Sequence, residues 1–172
     1  MTNDFGLNLK PYPGPLARNT LYICRGLPGS GKTTWAKEAI RQAGFWVRRV
    51  NQDDLRDMSD NGIYSSEREF GISRMRNACI TQLLLLGYTV ISDDTNIAVH
   101  TCRELRTIAD IAGASIVVVE FAVPVATCIE RDAKRPKSVG RDVIVDMAVR
   151  KGEADLLLER SMGAYPVQIV AT

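Results

Sequence analysis

The octapeptide Gly26-Leu27-Pro28-Gly29-Ser30-Gly31-Lys32-Thr33 has the spacing G-x-x-x-x-G-K-S/T, and no other stretch limits the possible folds so tightly. The pattern has physical meaning only between a strand and a helix. Both flanks qualify: Leu21 to Cys24 is a short apolar run, and Thr33 to Gln42 is rich in good helix formers. Glycines let the backbone curl until successive amides point inward, where the helix N-terminus adds its positive dipole end. The loop is therefore shaped for phosphate oxygens. Gly29, Ser30, Gly31, Lys32, Thr33 and Thr34 are the expected nucleotide contacts, with Lys32 at the β- and γ-phosphates and the Thr33 hydroxyl as Mg²⁺ ligand. Kinases, GTPases, motor ATPases and uptake proteins all use such a loop, so other residues must separate them.

Residues 1–19 carry Pro11, Pro13 and Pro15 around Gly14, which forbids helix and predicts an extended strap before a domain over 20–172. Further strands are expected at Phe45 to Val50, Tyr88 to Ile91, Ser115 to Phe121 and Val167 to Val170. Helices are expected from Ser66 to Leu86, Val99 to Ala112, Pro124 to about Arg135 and Val143 to Leu158. Residues 53–65 are polar and rich in turn formers. Short apolar strands alternating with helices specify an α/β fold: a mainly parallel central sheet flanked by helices, joined by right-handed crossovers.

Composition excludes several classes. With 172 residues and 45% hydrophobic content, one core closes without disulfides, and a net charge of +2 rules out a broadly basic duplex-coating surface. Arginine outnumbers lysine sixteen to six, which suits bidentate phosphate binding, although a genomic bias produces the same count. Cys24, Cys79, Cys102 and Cys128 form no C-x-x-C pair and read as buried thiols in a reducing, cytoplasmic compartment. His100, the single histidine, reads as a surface or capping residue. The apolar stretches are interrupted by Gln82, Gly87, Glu120 and Pro124, so neither a signal peptide nor a membrane span is expected.

The second expected strand ends in Asn51-Gln52-Asp53-Asp54-Leu55-Arg56, at the strand end where parallel sheets place their ligand crevice. A hydroxyl attacking the γ-phosphorus must lose a proton, and Asp53 is the expected base, with Arg56 on an acceptor phosphate. The same acids also suit the first turn of a helix. The third strand ends in Ser92-Asp93-Asp94-Thr95-Asn96: either aspartate can hold Mg²⁺ or its waters, and Asp94, Thr95 and Asn96 can orient the acceptor. An Asx-turn with a helix cap explains the string equally well. Arg131 to Arg141 is a basic stretch between helices and reads as a lid whose arginines close over the nucleotide and exclude water, or as a solvated face.

Gly26 to Ala36, Asn51 to Arg56, Ser92 to Asn96 and the lid arginines together resemble the kinase domain of phage-type 5′-OH polynucleotide kinases, over most of the chain. The resemblance implies a P-loop kinase fold with an arginine-rich lid, ATP or another NTP with Mg²⁺, and a nucleic-acid 5′-OH end as partner in end repair. It implies Asp53 as general base, Arg56 on the phosphate beside the 5′-OH, and Asp94 supporting the acceptor pocket. Arg135, with Arg131 as second candidate, would be the lid arginine on ATP. Gln52 stands where the family commonly has a basic residue, and no D-x-D-G-T string follows, so a kinase without a 3′-phosphatase domain is expected. Homo-oligomers remain possible. A P-loop kinase of a nucleoside, sugar acid or antibiotic is the alternative; a nucleotide-switched binding module is disfavoured by the lack of an N-K-x-D string.

Overall fold

The computed structural model describes residues 16–161 and 167–170. Residues 1–15 of the expected strap lie outside the described residues. Strands β1 (Thr20–Arg25), β2 (Val47–Val50), β3 (Thr89–Ser92), β4 (Ser115–Phe121) and β5 (Val167–Val170) form one sheet in the order β2-β3-β1-β4-β5. Every pairing is parallel. The helices are α1 (Lys32–Ala43), α2 (Gln52–Asp60), α3 (Ser66–Leu85), α4 (Val99–Ala112), α5 (Val125–Ala133) and α6 (Arg141–Ser161).

β1 is buried along its whole length, and its alternation divides the core between two faces. Tyr22 and Cys24 pack with Trp35, Ala36 and Ala39 of α1. Leu21 and Ile23 pack with Ile80 and Leu84 of α3 and with Leu105, Ile108 and Ala109 of α4. Each fully buried leucine or isoleucine contributes about 1.5–3 kcal/mol, so these two layers hold β1 from both sides. A third cluster, Leu27, Val123, Cys128 and Ile144, ties the loop after β1 to α5 and α6.

Two expectations are corrected. β2 starts at Val47 rather than Phe45: Gly44, at φ 78°, ends α1, the Val47 amide donates to the Gly44 carbonyl, and Phe45 is left 81% exposed in the turn. The polar stretch after Val50 is not a loop throughout. Its first part is α2, whose Asn51 N-cap side chain accepts from the Asp54 amide at 3.0 Å and whose first turn carries Asp53 and Asp54.

Register positions the site. Ser92 lies opposite both Ile23 and Val50, so the carboxyl ends of β1, β3 and β2 stop side by side and bring Gly26, Asp93 and Asn51 to one edge.

Candidate active site

The glycine-rich loop turns through left-handed conformations at Gly29 (φ 80°) and Gly31 (φ 95°), which a side chain would strain. Gly29 also has no room for one, because a Cβ there would overlap the carbonyl oxygen of Cys128 on α5. The Gly26 amide donates to the Thr95 carbonyl at 3.1 Å, joining the loop to the segment after β3. Asn96, itself at φ 45°, donates from Nδ2 to the carbonyls of Cys24 at 2.8 Å and Ser92 at 3.2 Å. Thr95 and Asn96 thus clamp the ends of β1 and β3, with the Asn96 amide turned inward.

Lys32 is buried and folded over its own loop: Nζ donates to the carbonyls of Gly26 at 2.9 Å and Leu27 at 2.7 Å and to the Ser30 hydroxyl at 3.3 Å. Burial lowers its pKa, opposed chiefly by the charge of Asp93. The Thr33 hydroxyl donates to Asp93 Oδ1 at 3.3 Å. Asp93 Oδ2 accepts from Arg49 Nε at 2.6 Å, with the Asp93 side chain fully buried. Burial pushes the Asp93 carboxyl up, and the Arg49 hydrogen bond pulls it back. A hydroxyl beside a carboxylate is a hard-oxygen pair that fits Mg²⁺, which is held by one or two protein oxygens with phosphates and waters completing the shell. Thr33 and Asp93 would hold it.

A hydrogen-bonded chain runs from there to the acceptor side. Asn51 Nδ2 donates to the Asp93 carbonyl and, at 3.3 Å, to Asp94 Oδ1, while the Gln52 amide donates to Asp94 Oδ1 at 2.8 Å. Asp94 therefore holds the start of α2, and Asp53 follows on its first turn, 74% exposed in its side chain. Arg56 Nη1 donates to Asp53 Oδ1 at 2.6 Å, and Nε and Nη2 grip Glu69 at 2.6 and 2.9 Å. The arginine expected at an acceptor phosphate thus stands between two carboxylates.

Asp94 Oδ2 is buried without a hydrogen-bond partner among the described residues. Burial raises this carboxyl from 3.8 to about 6, opposed by the Gln52 amide and Arg76 and reinforced by Asp93 and Asp53. A folded-state pKa above the unfolded one means the native chain binds the proton more tightly. Stability then falls as pH rises from 3.8 through about 6, and the penalty is complete above that window. In nucleotide- and metal-free protein, the urea midpoint should drop across this interval, and Asp94→Asn should make the drop shallower. An unchanged slope would assign the titration elsewhere.

Around the basic stretch, Asp132 is buried and accepts from the Ser138 hydroxyl at 2.6 Å and from the amides of Val139 and Gly140 at 3.0 and 3.1 Å. Arg135, half-exposed, reaches Asp132 at 3.3 Å. Arg131 lies one helical turn beyond Cys128, whose backbone abuts Gly29, and its Nη1 is buried without a hydrogen-bond partner among the described residues. Of the two, Arg131 is the nearer along the chain to the α5 turn that abuts the phosphate loop.

Sequence reasoning passed over Arg49 and Asn51. Arg49 was hidden in the strand string Val-Arg-Arg-Val, although alternation sends its two arginines to opposite faces. Asn51 carried a legible signal, an Asx residue immediately before two acids. Cys24, Cys102 and Cys128 are buried as expected, Cys79 is partly so, and all four are free. No helix among the described residues is long and apolar enough to cross a membrane.

A family model described as an AAA domain matches residues 21–155. Among solved structures, a chain of the Pnkp1/Rnl/Hen1 RNA repair complex is 27% identical at a TM-score of 0.71; the match covers 84% of this chain and 48% of that one. The chain thus spans about half the length of that relative. Kti12 of Chaetomium thermophilum, solved with ADP-AlF3, is 19% identical at a TM-score of 0.59, with 88% of each chain covered. APS kinase CysC of Mycobacterium tuberculosis, solved with AMPPNP and APS, is 22% identical at 0.56, covering 70% of this chain and 71% of that one. These last two likenesses speak for the fold.

Proposed function

Because the chain belongs to the AAA domain family AAA_33 and is a P-loop kinase domain over residues 21–155, we propose that it transfers the γ-phosphate of ATP to the 5′-hydroxyl of a DNA or RNA end. The observation that carries the reading is the continuous chain Thr33–Asp93–Asn51–Asp94–Gln52, which ties the first turn of α2, the turn that bears Asp53, to the phosphate loop. The polynucleotide acceptor is supported by the strings at 26–36, 51–56 and 92–96 and by the likeness to a chain of an RNA repair complex.

In this reaction the acceptor O5′ attacks the γ-phosphorus, the bond from that phosphorus to the bridging oxygen breaks, and ADP leaves. Asp53 orients the hydroxyl and takes its proton. Lys32 exchanges its loop carbonyls for the β- and γ-phosphate oxygens, joined by the amides from Gly29 to Thr34. Thr33 and Asp93 would hold Mg²⁺, which would supply neutralising charge to those oxygens. Arg56 turns from Glu69 toward the acceptor phosphate, and Arg131, with Arg135 outside it, shields the transferring group from water. The work is positioning and charge stabilisation, as phosphoryl transfer requires.

An acceptor panel tests the reading. Labelled ATP offered with 5′-OH oligonucleotides, 3′-mononucleotides and free nucleosides is expected to label the first two. A neutral small molecule gives Arg56 no phosphate to bind, so transfer confined to nucleosides or sugars would replace this reading with that of a small-molecule kinase.

A further inference from the structure

Arg49 stands on β2, an edge strand of the sheet where an arginine can reach solvent, yet its side chain is only 12% exposed. Its neighbour Arg48, sent to the opposite face, lies over the Tyr88 ring at 4.4 Å from the centroid. Two carboxylates draw Arg49 inward: Nε donates to Asp93 Oδ2 at 2.6 Å, and Nη1 donates to Asp54 Oδ2 on the first turn of α2. We propose that Arg49 is a positioning residue for Mg²⁺, holding Oδ2 of Asp93 so that Oδ1 is the oxygen offered to the ion beside the Thr33 hydroxyl. The inference rests on the P-loop kinase reading and on the Thr33–Asp93 pair, and it is independent of which acceptor is phosphorylated.

The two oxygens of Asp93 are held unequally. The 2.6 Å bond from the Arg49 guanidinium is short and charge-assisted, whereas the Thr33 hydroxyl reaches Oδ1 at 3.3 Å, longer than an ordinary hydroxyl bond. An arriving cation displaces the weaker partner. The backbone of Asp93 is fixed as well: its amide donates to the Val50 carbonyl at 2.9 Å, and its carbonyl accepts from Asn51 Nδ2. With the backbone and Oδ2 both tied, the carboxylate rotates only by breaking one of these bonds. Mg²⁺ demands near-ideal octahedral geometry, so an oxygen fixed in direction suits it better than a freely turning one.

Arg49 also carries charge, and charge acts the other way. A guanidinium beside a cation site repels the cation, so charge alone would make Arg49 a residue that weakens Mg²⁺ binding. Lysine separates the two roles. It keeps the charge, but as a point donor on a flexible stem it cannot span Asp93 and Asp54 with one rigid fork. Asp54, 63% exposed in its side chain, is the looser of the two grips and steadies the guanidinium only from the solvent side.

The test uses the full chain and a fluorescent ATP analogue. Two quantities are read: the nucleotide Kd in EDTA, and the Mg²⁺ concentration that half-saturates the protein–nucleotide complex. Arg49→Lys is expected to raise the half-saturating Mg²⁺ concentration about tenfold, as losing the partner of a metal ligand does, while the EDTA Kd stays within about twofold. Asp54→Ala should raise it by less than about threefold, because an exposed ion pair contributes little. An unchanged Mg²⁺ requirement in Arg49→Lys, or a lower one in Arg49→Met, overturns the proposal and leaves Arg49 as a neutraliser of a buried carboxylate. Equal losses of nucleotide affinity with and without Mg²⁺ in Arg49→Lys also overturn it, since the loop rather than the metal ligand has then moved. A loss in Asp54→Ala as large as that in Arg49→Lys overturns it in favour of α2. If Arg49→Met does not fold, Arg49→Lys and Asp54→Ala decide. If wild type phosphorylates no strand, the acceptor reading fails, and the Mg²⁺ titration still decides the role of Arg49.

Discussion

Asp53→Asn is expected to lower phosphoryl transfer to a 5′-OH strand by about 10²–10⁴-fold while leaving ATP affinity within about twofold. The amide keeps the shape of the carboxylate and the capacity to accept from Arg56, so the ion pair loses charge without losing geometry. It cannot take the proton of the attacking hydroxyl. Asp53 lies on the first turn of α2 and is hydrogen-bonded to Arg56 rather than built into the glycine-rich loop, which is why nucleotide binding should survive. Single-turnover transfer and ATP titration on the same preparation separate the two quantities. Unchanged transfer would remove Asp53 from the chemistry, and loss of both would show that α2 supports the loop rather than the acceptor.

The second large effect is expected at Asp93. Asp93→Asn should reduce transfer by at least about 10²-fold, weaken Mg²⁺-dependent nucleotide binding, and also cost stability. The stability loss follows from burial. Arg49, only 12% exposed in its side chain, would lose its fully buried partner at 2.6 Å, and breaking such a pair costs about 3–5 kcal/mol when no charge replaces it. Asp54 still faces Arg49 from the solvent side, which places the expected cost at the lower end of that range. Denaturant midpoints and nucleotide titrations with and without Mg²⁺ give the two readouts. A variant destabilised but fully active would mean that Asp93 holds the sheet edge together and leaves the metal to Thr33.

The phosphate loop, the strands and the long helices were legible because each is written locally. Leu21 to Cys24 is uniformly apolar, and Gly26 to Thr33 has one conformation that suits its glycines. α2 was less visible for a physical reason: none of its residues is fully buried, so no apolar stripe marks it. Its support comes from the Asn51 cap, from Asp94 holding the Gln52 amide, and from Arg56 bridging to Glu69 on α3. Two of those partners lie 42 and 13 residues away along the chain. The choice between Asp93 and Asp94 was open for a similar reason. Adjacent residues leaving a strand point to opposite sides, and only the placement of α1 beside β3 shows that Asp93 meets Thr33 while Asp94 meets α2.

The contact between Gly29 and Cys128 has a mechanical meaning. With no space for even one carbon between them, the crest of the phosphate loop and the first turns of α5 behave as meshed parts, and a shift of one displaces the other. Any shift of the loop as a phosphate enters would therefore be felt by the helix bearing Arg131. By reciprocity, whatever free energy the incoming nucleotide spends on moving that helix is returned as tighter nucleotide binding when the helix is already in place. An acceptor that settled α5 would thus raise ATP affinity with no direct contact between the two substrates.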